Sequence, residues 1–399
     1  MGFPPVSRGG DRRRGLATGF VAGAAVALAV AALIVYLEGG FAGSDPTSQA
    51  IDAIQQDYFK PVGGSVLDNA SIDGMVRTLR KRYDDRFSHY FDPHQLRQFE
   101  EASSGRFSGV GLTVTEVNRG LRVATVIPDT PAQRARIEPG DLIVAVDGHS
   151  IAGVSSQVST ARIKGAPGTP VELTVVSGRT GARRELHLTR ASVQVPVVRG
   201  RLVRAGETKA AYVRFATFSQ GAHGELASTL KRLDRRGAQG LVLDLRGNGG
   251  GLLNEAVLCA SLFLRKGQLV VSTESRTQGH RDYDAVGHPL PAHPTVVLIN
   301  RDTASAAEIL ASALADHHLA TIVGTRSFGK GTFQEVIHLA AGGALDLTVG
   351  EYLTADGTSL AGRGINPDVR AEDNPRTARD EALNRALSVL AEKAAVENR

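Results

Sequence analysis

From residue 193 onward the chain alternates short apolar runs with longer amphipathic ones, and few folds satisfy that order. Residues 210–215, 240–245, 295–299 and 321–323 read as strands, and 220–236, 252–264 and 304–315 read as helices. Such alternation implies an α/β sheet whose chemistry sits at strand-to-helix turns. An amphipathic helix over 376–396 closes the chain.

The preceding residues have other periods. Residues 105–188 carry short β-rich runs (111–117, 121–126, 142–146, 171–176, 184–188) divided by Gly and Pro, a small β-rich domain. Residues 49–101 read as helical, with apolar positions at Ile51, Ile54, Tyr58, Met75, Val76, Leu79 and Tyr83, until Phe87–Pro93 breaks the pattern. Residues 15–37 hold 23 positions without a charge, which as a helix span about 34 Å. Arg8, Arg12, Arg13 and Arg14 precede this run, while Glu38 and Asp45 follow it. The positive-inside bias then predicts a single transmembrane anchor at 15–37, with residues 1–14 cytoplasmic and a linker at 38–48. Everything after residue 38 is expected outside the cytoplasm. The competing reading is a cleaved signal peptide, but no clean A-x-A site follows the run.

With 399 residues the chain has room for two or three domains and a sizeable core. The net charge of +5 is spread through the chain, without a basic stripe interleaved with aromatics, so nucleic acid is not an expected partner. Cys259 is the sole cysteine, which excludes an internal disulfide, and its apolar surroundings make it a small core residue. No His/Cys/Asp/Glu cluster has metal spacing, so neither a metal nor a cofactor is expected.

Chemistry concentrates in three short segments. Ser305 ends a polar turn, Asn300–Ser305, that runs into an alanine-rich helix. Lys330 lies between Gly329 and Gly331, and lysine is scarce here, eight of 46 basic residues. A serine at a helix start can be activated by a nearby amine. The third segment, Asp244–Gly251, is a strand-to-helix turn whose glycines free backbone N–H groups to face an anion. Nucleophile, base and oxyanion donors are the parts that acyl transfer needs.

Each part also has an ordinary reading. A serine at a helix start is commonly just a cap, and a glycine run just a tight turn. Residues 324–332 mimic a phosphate loop, but Gly331 follows the lysine where Ser or Thr is required, and no helix follows. Gly247–Gly250 resembles the nucleophile turn of chymotrypsin-like proteases without its serine. His317 and His318 offer a rival Ser-His arrangement, though neither lies in a motif.

Taken in order, the motifs resemble those of the carboxyl-terminal processing peptidases, tail-specific serine proteases of the S41 type, over residues 49–370. The family's Asp-Leu-Arg-x-Asn-x-Gly-Gly stands at Asp244–Gly251 and its Ser-Ala-Ser-Ala-Ser-Glu at Thr303–Glu308. Its Phe-Gly-Lys-Gly-Thr-x-Gln stands at Phe328–Gln334, and its late signatures at Thr354–Gly357 and Gly364–Asp368. The resemblance implies that Ser305 is the nucleophile, Lys330 the general base and Gln334 the residue that orients the lysine. It further implies an oxyanion hole from the N–H groups of Ala306 and Gly251 or Gly250. Thr303 and Ala307 replace flanking serines, and Gly249 stands where many members carry proline. Gln334 lies four residues after Lys330, and in a strand that parity puts both side chains on one face. As a base, Lys330 must be neutral; depressing a lysine pKa by about three units costs ~4 kcal/mol, which burial can impose.

The β-rich insert, 105–190, resembles the PDZ domains such peptidases carry. Phe107–Leu112 matches the loop that holds a peptide's terminal carboxylate, so Gly109, Val110, Gly111 and Leu112 are the implied peptide-binding residues. Lys164 occupies the place where related peptidases often carry a substrate-sensing arginine, and a peptide would add as a strand on the sheet edge. The expected fold is therefore α+β multidomain. It comprises the anchor, a helical segment (49–104), the PDZ domain, a ClpP/crotonase-like protease core (191–372) and a C-terminal helix (373–399). Protein carboxyl termini are the implied substrates, with a homo-oligomer or activating adaptor open. The rival reading is a non-catalytic PDZ scaffold on a dead protease fold.

Overall fold

The computed structural model describes residues 45–340, 342–374 and 376–397. The chain divides into two units, 1–84 and 85–399. In the first, α1 (Pro46–Asp57) is capped by Asp45, whose carboxylate accepts from the N–H groups of Thr47 and Ser48 at 2.8 and 3.2 Å. Helix α2 (Gly64–Tyr83) ends in Arg80, Lys81 and Arg82, cations that complement the negative end of the helix dipole.

The second unit begins with β1 (His89–Phe91), α3 (Pro93–Ser104) and β2 (Arg106–Gly109). A six-strand antiparallel domain follows: β3 (Leu112–Val117), β4 (Gly120–Val126), α4 (Pro131–Arg134), β5 (Leu142–Val146), β6 (His149–Ser150), α5 (Ser156–Ile163), β7 (Pro170–Val176) and β8 (Arg183–Thr189). Its strand order is β3-β4-β5-β7-β8, with β6 on β5. The side chains of Leu121, Ile143, Leu173 and Val175 are fully buried in its own core. Strand β9 (Ala191–Gln194) pairs with β2 and so closes this domain at its base.

The remaining elements are β10 (Val198–Ala205), β11 (Thr208–Phe215), α6 (Ala222–Asp234), β12 (Leu241–Asp244), α7 (Leu253–Ala260), β13 (Leu269–Ser275), β14 (Gly279–Asp284), β15 (Thr295–Ile299), α8 (Ala306–Asp316), β16 (Ala320–Gly324), β17 (Thr332–His338), β18 (Ala344–Thr354), β19 (Val369–Arg370) and α9 (Glu381–Glu397). Strands β11, β12, β15, β16 and β19 run parallel, with β10 antiparallel on the β11 edge. Alternate residues of one strand serve two cores. Leu243 and Val297 pack with α6, α7 and α8, whereas Val242, Val296 and Leu298 pack with Ala386, Val389 and Leu390 of α9. A sheet covered on both faces needs apolar residues at successive positions, which is why these strands were legible as unbroken runs.

A second, antiparallel sheet, β1-β18-β13-β14 with β17 on β18, was not foreseen. Strands β17 and β18 are only partly buried and mix Thr, Glu and Gly with apolar residues. Strand β1 joins it by pairing His89 with Asp346, so the segment read as helical over 49–104 contains a strand of this sheet.

The expected fold class needs one correction. Among the described residues no helix is long and apolar enough to cross a membrane, and the anchor expected at 15–37 lies outside them. What the structure describes is a mixed α/β domain built on two sheets, joined to a small antiparallel β domain.

Candidate active site

Strand β15 delivers the chain to a tight turn in which Thr303 Oγ1 donates to the Leu245 carbonyl at 2.9 Å, and the Asn300 N–H donates to Thr303 Oγ1 at 3.0 Å. That turn ends at Ser305, which has φ 55° and ψ −123° at the start of α8. A non-glycine residue held at positive φ stores about 1–3 kcal/mol of strain, a feature that clusters at functional sites. Ser305 is nearly buried, 7% exposed.

The 247–251 turn presses directly on this serine. A Cβ on Gly250 would stand 2.8 Å from Ser305 Cβ and 3.0 Å from the Ala306 nitrogen. A Cβ on Gly251 would stand 2.5 Å from the Phe218 carbonyl oxygen. Both glycines have positive φ, 99° and 144°, so only glycine suits either place. Their N–H groups differ: that of Gly250 donates to Asn248 Oδ1 at 2.9 Å. Those of Gly251 and Ala306 have no acceptor among the described residues, and both lie beside Ser305.

Lys330 reaches the same place by way of Glu308, a residue that sequence reasoning passed over. Glu308 is fully buried, one turn into α8. Its carboxyl group accepts from the Ser305 N–H (2.8 Å), the Lys330 N–H (3.0 Å), the Gly329 N–H (2.8 Å) and Ser327 Oγ (2.5 Å). Four donors from two loops therefore converge on one carboxyl group, fixing the lysine's backbone against the serine's. The available signal was the Ser-x-x-Glu capping-box spacing, which reads as an ordinary helix start. Gly331 lies equally close to its neighbours, since a Cβ there would meet the Ala361 nitrogen at 2.0 Å.

The lysine side chain is turned elsewhere. Its Nζ lies 5.0 Å from the ring centroid of Phe87, and no hydrogen bond joins it to Ser305 Oγ. Burial pushes the amine below the ordinary lysine range, opposed by the Asp346 carboxylate nearby. Asp346 is itself pushed up by burial, against the pull of Lys330 and His89.

Gln334 does not orient the lysine in the way the parity count suggested. Its Nε2 donates to Thr348 Oγ1 at 3.2 Å and Thr332 Oγ1 at 3.4 Å, and Thr348 in turn donates to Asp85 Oδ1 at 3.0 Å. Lys330 precedes β17, and a register shift falls between Phe333 and Gln334. The rival histidines lie at the far end of α8, about 18 Å of helix from Ser305. His317 is engaged there with the Leu269 carbonyl (2.8 Å) and Gln268 (3.2 Å). Cys259 is buried and its thiol is pushed well up by burial, as suits a core residue. Among the described residues no group of His, Cys, Asp and Glu could hold a metal ion.

In the PDZ-like domain, Gly111 has φ 90° and packs against Thr130, which leaves no room for a side chain. The N–H groups of Val110 and Gly111 have no acceptor among the described residues. Val110 contributes its backbone only, because its side chain is 1% exposed in the domain core. Lys164 is held by Glu101 of α3 (Nζ–Oε2 2.8 Å), beside a groove of about 540 Å³ that Phe107 and Leu112 also line.

Comparison with known proteins supplies context for this geometry. The profile of Peptidase family S41 matches residues 209–371, and that of the PDZ domain matches 108–189. The carboxy-terminal processing protease CtpA of Bacillus subtilis is 34% identical over 82% of this chain and 69% of its own length. The carboxyl-terminal-processing protease of Picosynechococcus is 38% identical over 73% of this chain and 71% of its own. Among solved structures, a photosystem II D1 C-terminal processing protease aligns with TM-score 0.50 at 30% identity, over 86% of this chain and 96% of that one.

Proposed function

Because the chain belongs to peptidase family S41, the carboxyl-terminal processing serine proteases, we propose that Ser305 and Lys330 form its catalytic dyad and that its PDZ domain reads substrate carboxyl termini. The observation that carries this reading is Glu308, which draws the backbones of both residues onto one carboxyl group beside Gly250 and Gly251.

Ser305 Oγ attacks the scissile carbonyl carbon while its proton passes to a neutral Lys330 amine. The N–H groups of Ala306 and Gly251 receive the oxyanion, assisted by the positive end of α8. Lys330 then returns the proton to the leaving amine, and water releases the acyl group as a new carboxylate. For this cycle the amine must leave Phe87 and Asp346 and turn toward Ser305. Capture of a terminal carboxylate by the Val110 and Gly111 N–H groups is a charge-assisted contact, and it supplies a reason for cutting near carboxyl termini.

The test has two arms. A fluorophosphonate should leave its adduct on Ser305 in a peptide map, and Ser305→Ala should lose both adduct and proteolysis. Peptides with free carboxyl termini should be cut faster than their amidated twins. An adduct elsewhere removes the nucleophile assignment, and equal rates remove the PDZ assignment.

A further inference from the structure

At the end of the parallel sheet away from Ser305, where β12 and β15 begin, lies a cavity of about 540 Å³. Leu241, Phe263, Leu290 and Leu314 line it, and so does the segment 289–293 that leads into β15. Pro289, Pro291 and Pro294 fix the backbone of that segment. Its ends are pinned: the Leu290 N–H donates to the Leu262 carbonyl at 2.8 Å, and the Pro294 carbonyl accepts from the Leu241 N–H at 2.9 Å. His293 Nε2 lies 2.9 Å from Asp234 Oδ1, which ties the segment to the end of α6. These contacts hold the walls in place without an occupant, and the volume falls in the ~300–1,000 Å³ range of small-ligand sites.

The polar side chains around the cavity sort into engaged and free. Asp234, its one carboxylate among the described residues, faces His293. Gln268 and His317 meet at 3.2 Å, and the other ring nitrogen of His317 meets the Leu269 carbonyl at 2.8 Å. Lys231 and Arg265 also line the cavity, both exposed, and neither side chain has a hydrogen-bond or ion-pair partner among the described residues. We propose that this cavity binds an amphiphilic carboxylate, its hydrocarbon chain on the apolar wall and its head group on Lys231 and Arg265. The chain gains affinity by leaving water, while the two cations select the sign of the head group, and arginine matches a carboxylate with two parallel N–H donors. A peptide fits less well, because each of its residues brings an N–H and a C=O that need partners, and the side chains left free here are two cations. The proposal does not rest on the assignment of Ser305.

The experiment titrates the full chain with decanoate, and with decylammonium as its cationic twin, below the concentrations at which either forms micelles. Calorimetry should show decanoate binding, and Tm should climb with its concentration because the ligand favours the folded state; decylammonium should do neither. Replacing both cations, Lys231→Ala with Arg265→Ala, should weaken decanoate binding by about 10- to 30-fold, the scale of two exposed charge contacts. Both side chains are exposed and unpaired, so this variant should fold and keep its proteolytic activity. Decanoate carrying a diazirine should, on irradiation, mark residues 289–293 or 314–319 in a peptide map. Labels elsewhere, equal binding of decylammonium, or unaltered affinity in the double variant each overturn the proposal. Absence of decanoate binding also overturns it, and a changed sedimentation rate in Lys231→Glu would then assign this face to contact between two copies of the chain.

Discussion

At the scale of single residues, the site is a set of opposed demands on Lys330. Burial disfavours its charge, Asp346 favours it, and Phe87 gives the ammonium a π face to rest on. A base is useful only when neutral, so activity should rise with pH as the amine loses its proton. Because burial lowers the amine's pKa, that rise should fall below the range of a free lysine. Asp346 raises the lysine's pKa, so Asp346→Asn should move the rise to lower pH; a profile of kcat/KM against pH checks it, and an unmoved or upward-moved limb speaks against the role of Asp346. The sequence exposed Ser305 and Lys330 through their motifs but hid what surrounds them. Phe87 and Asp346 come from distant stretches that only the β1–β18 pairing brings together, and no local pattern announces such pairing. Glu308 was hidden differently, since a glutamate three residues after a serine has an ordinary role as a helix cap.

At the scale of elements, the turn from β12 into α7 carries the sharpest constraint. Gly249 and Gly250 are adjacent yet differ in what a methyl group would meet. At Gly249 nothing lies within 4 Å, whereas at Gly250 the new atom meets Ala304, Ser305 and Ala306, and φ is 99°. Gly249→Ala should therefore keep near-normal activity. Gly250→Ala should displace the proposed oxyanion donor Gly251 and lose about 10²–10³-fold in kcat. Steady-state kinetics on the pair, with melting curves to confirm folding, separates a local effect from a global one; equal activities would show that this turn tolerates movement. The parallel strands β12 and β15 were readable because both faces are buried, so apolar residues run without a break. Strands β13, β14, β17 and β18 were not, because each mixes Ser, Thr, Glu or Asp among its apolar residues. The register shift inside β17, between Phe333 and Gln334, had no sequence signal either.

At the scale of the whole molecule, the chain's second unit combines a PDZ domain with a protease built on two sheets. The C-terminal helix α9 covers the face of the parallel sheet opposite α8, as Leu390 and Val389 meet Val242 and Leu298. Arg246 ties the 247–251 turn to the approach of that helix through Asp244, Asp373 and Asp380. The PDZ match at 108–189 and the peptidase match at 209–371 fall on either side of the change of apolar period near residue 193. The transmembrane helix inferred from 15–37 has no counterpart among the described residues. The assembly has one central claim, that an amine and not an imidazole activates Ser305. Turnover of an unfolded protein by Lys330→Arg, His317→Ala and His318→Ala, each checked for folding, tests it most directly. Arginine keeps the charge but cannot serve as a neutral base, so Lys330→Arg should lose about 10²–10⁴-fold while both histidine variants remain active. An active Lys330→Arg beside a dead His317→Ala or His318→Ala would contradict the dyad.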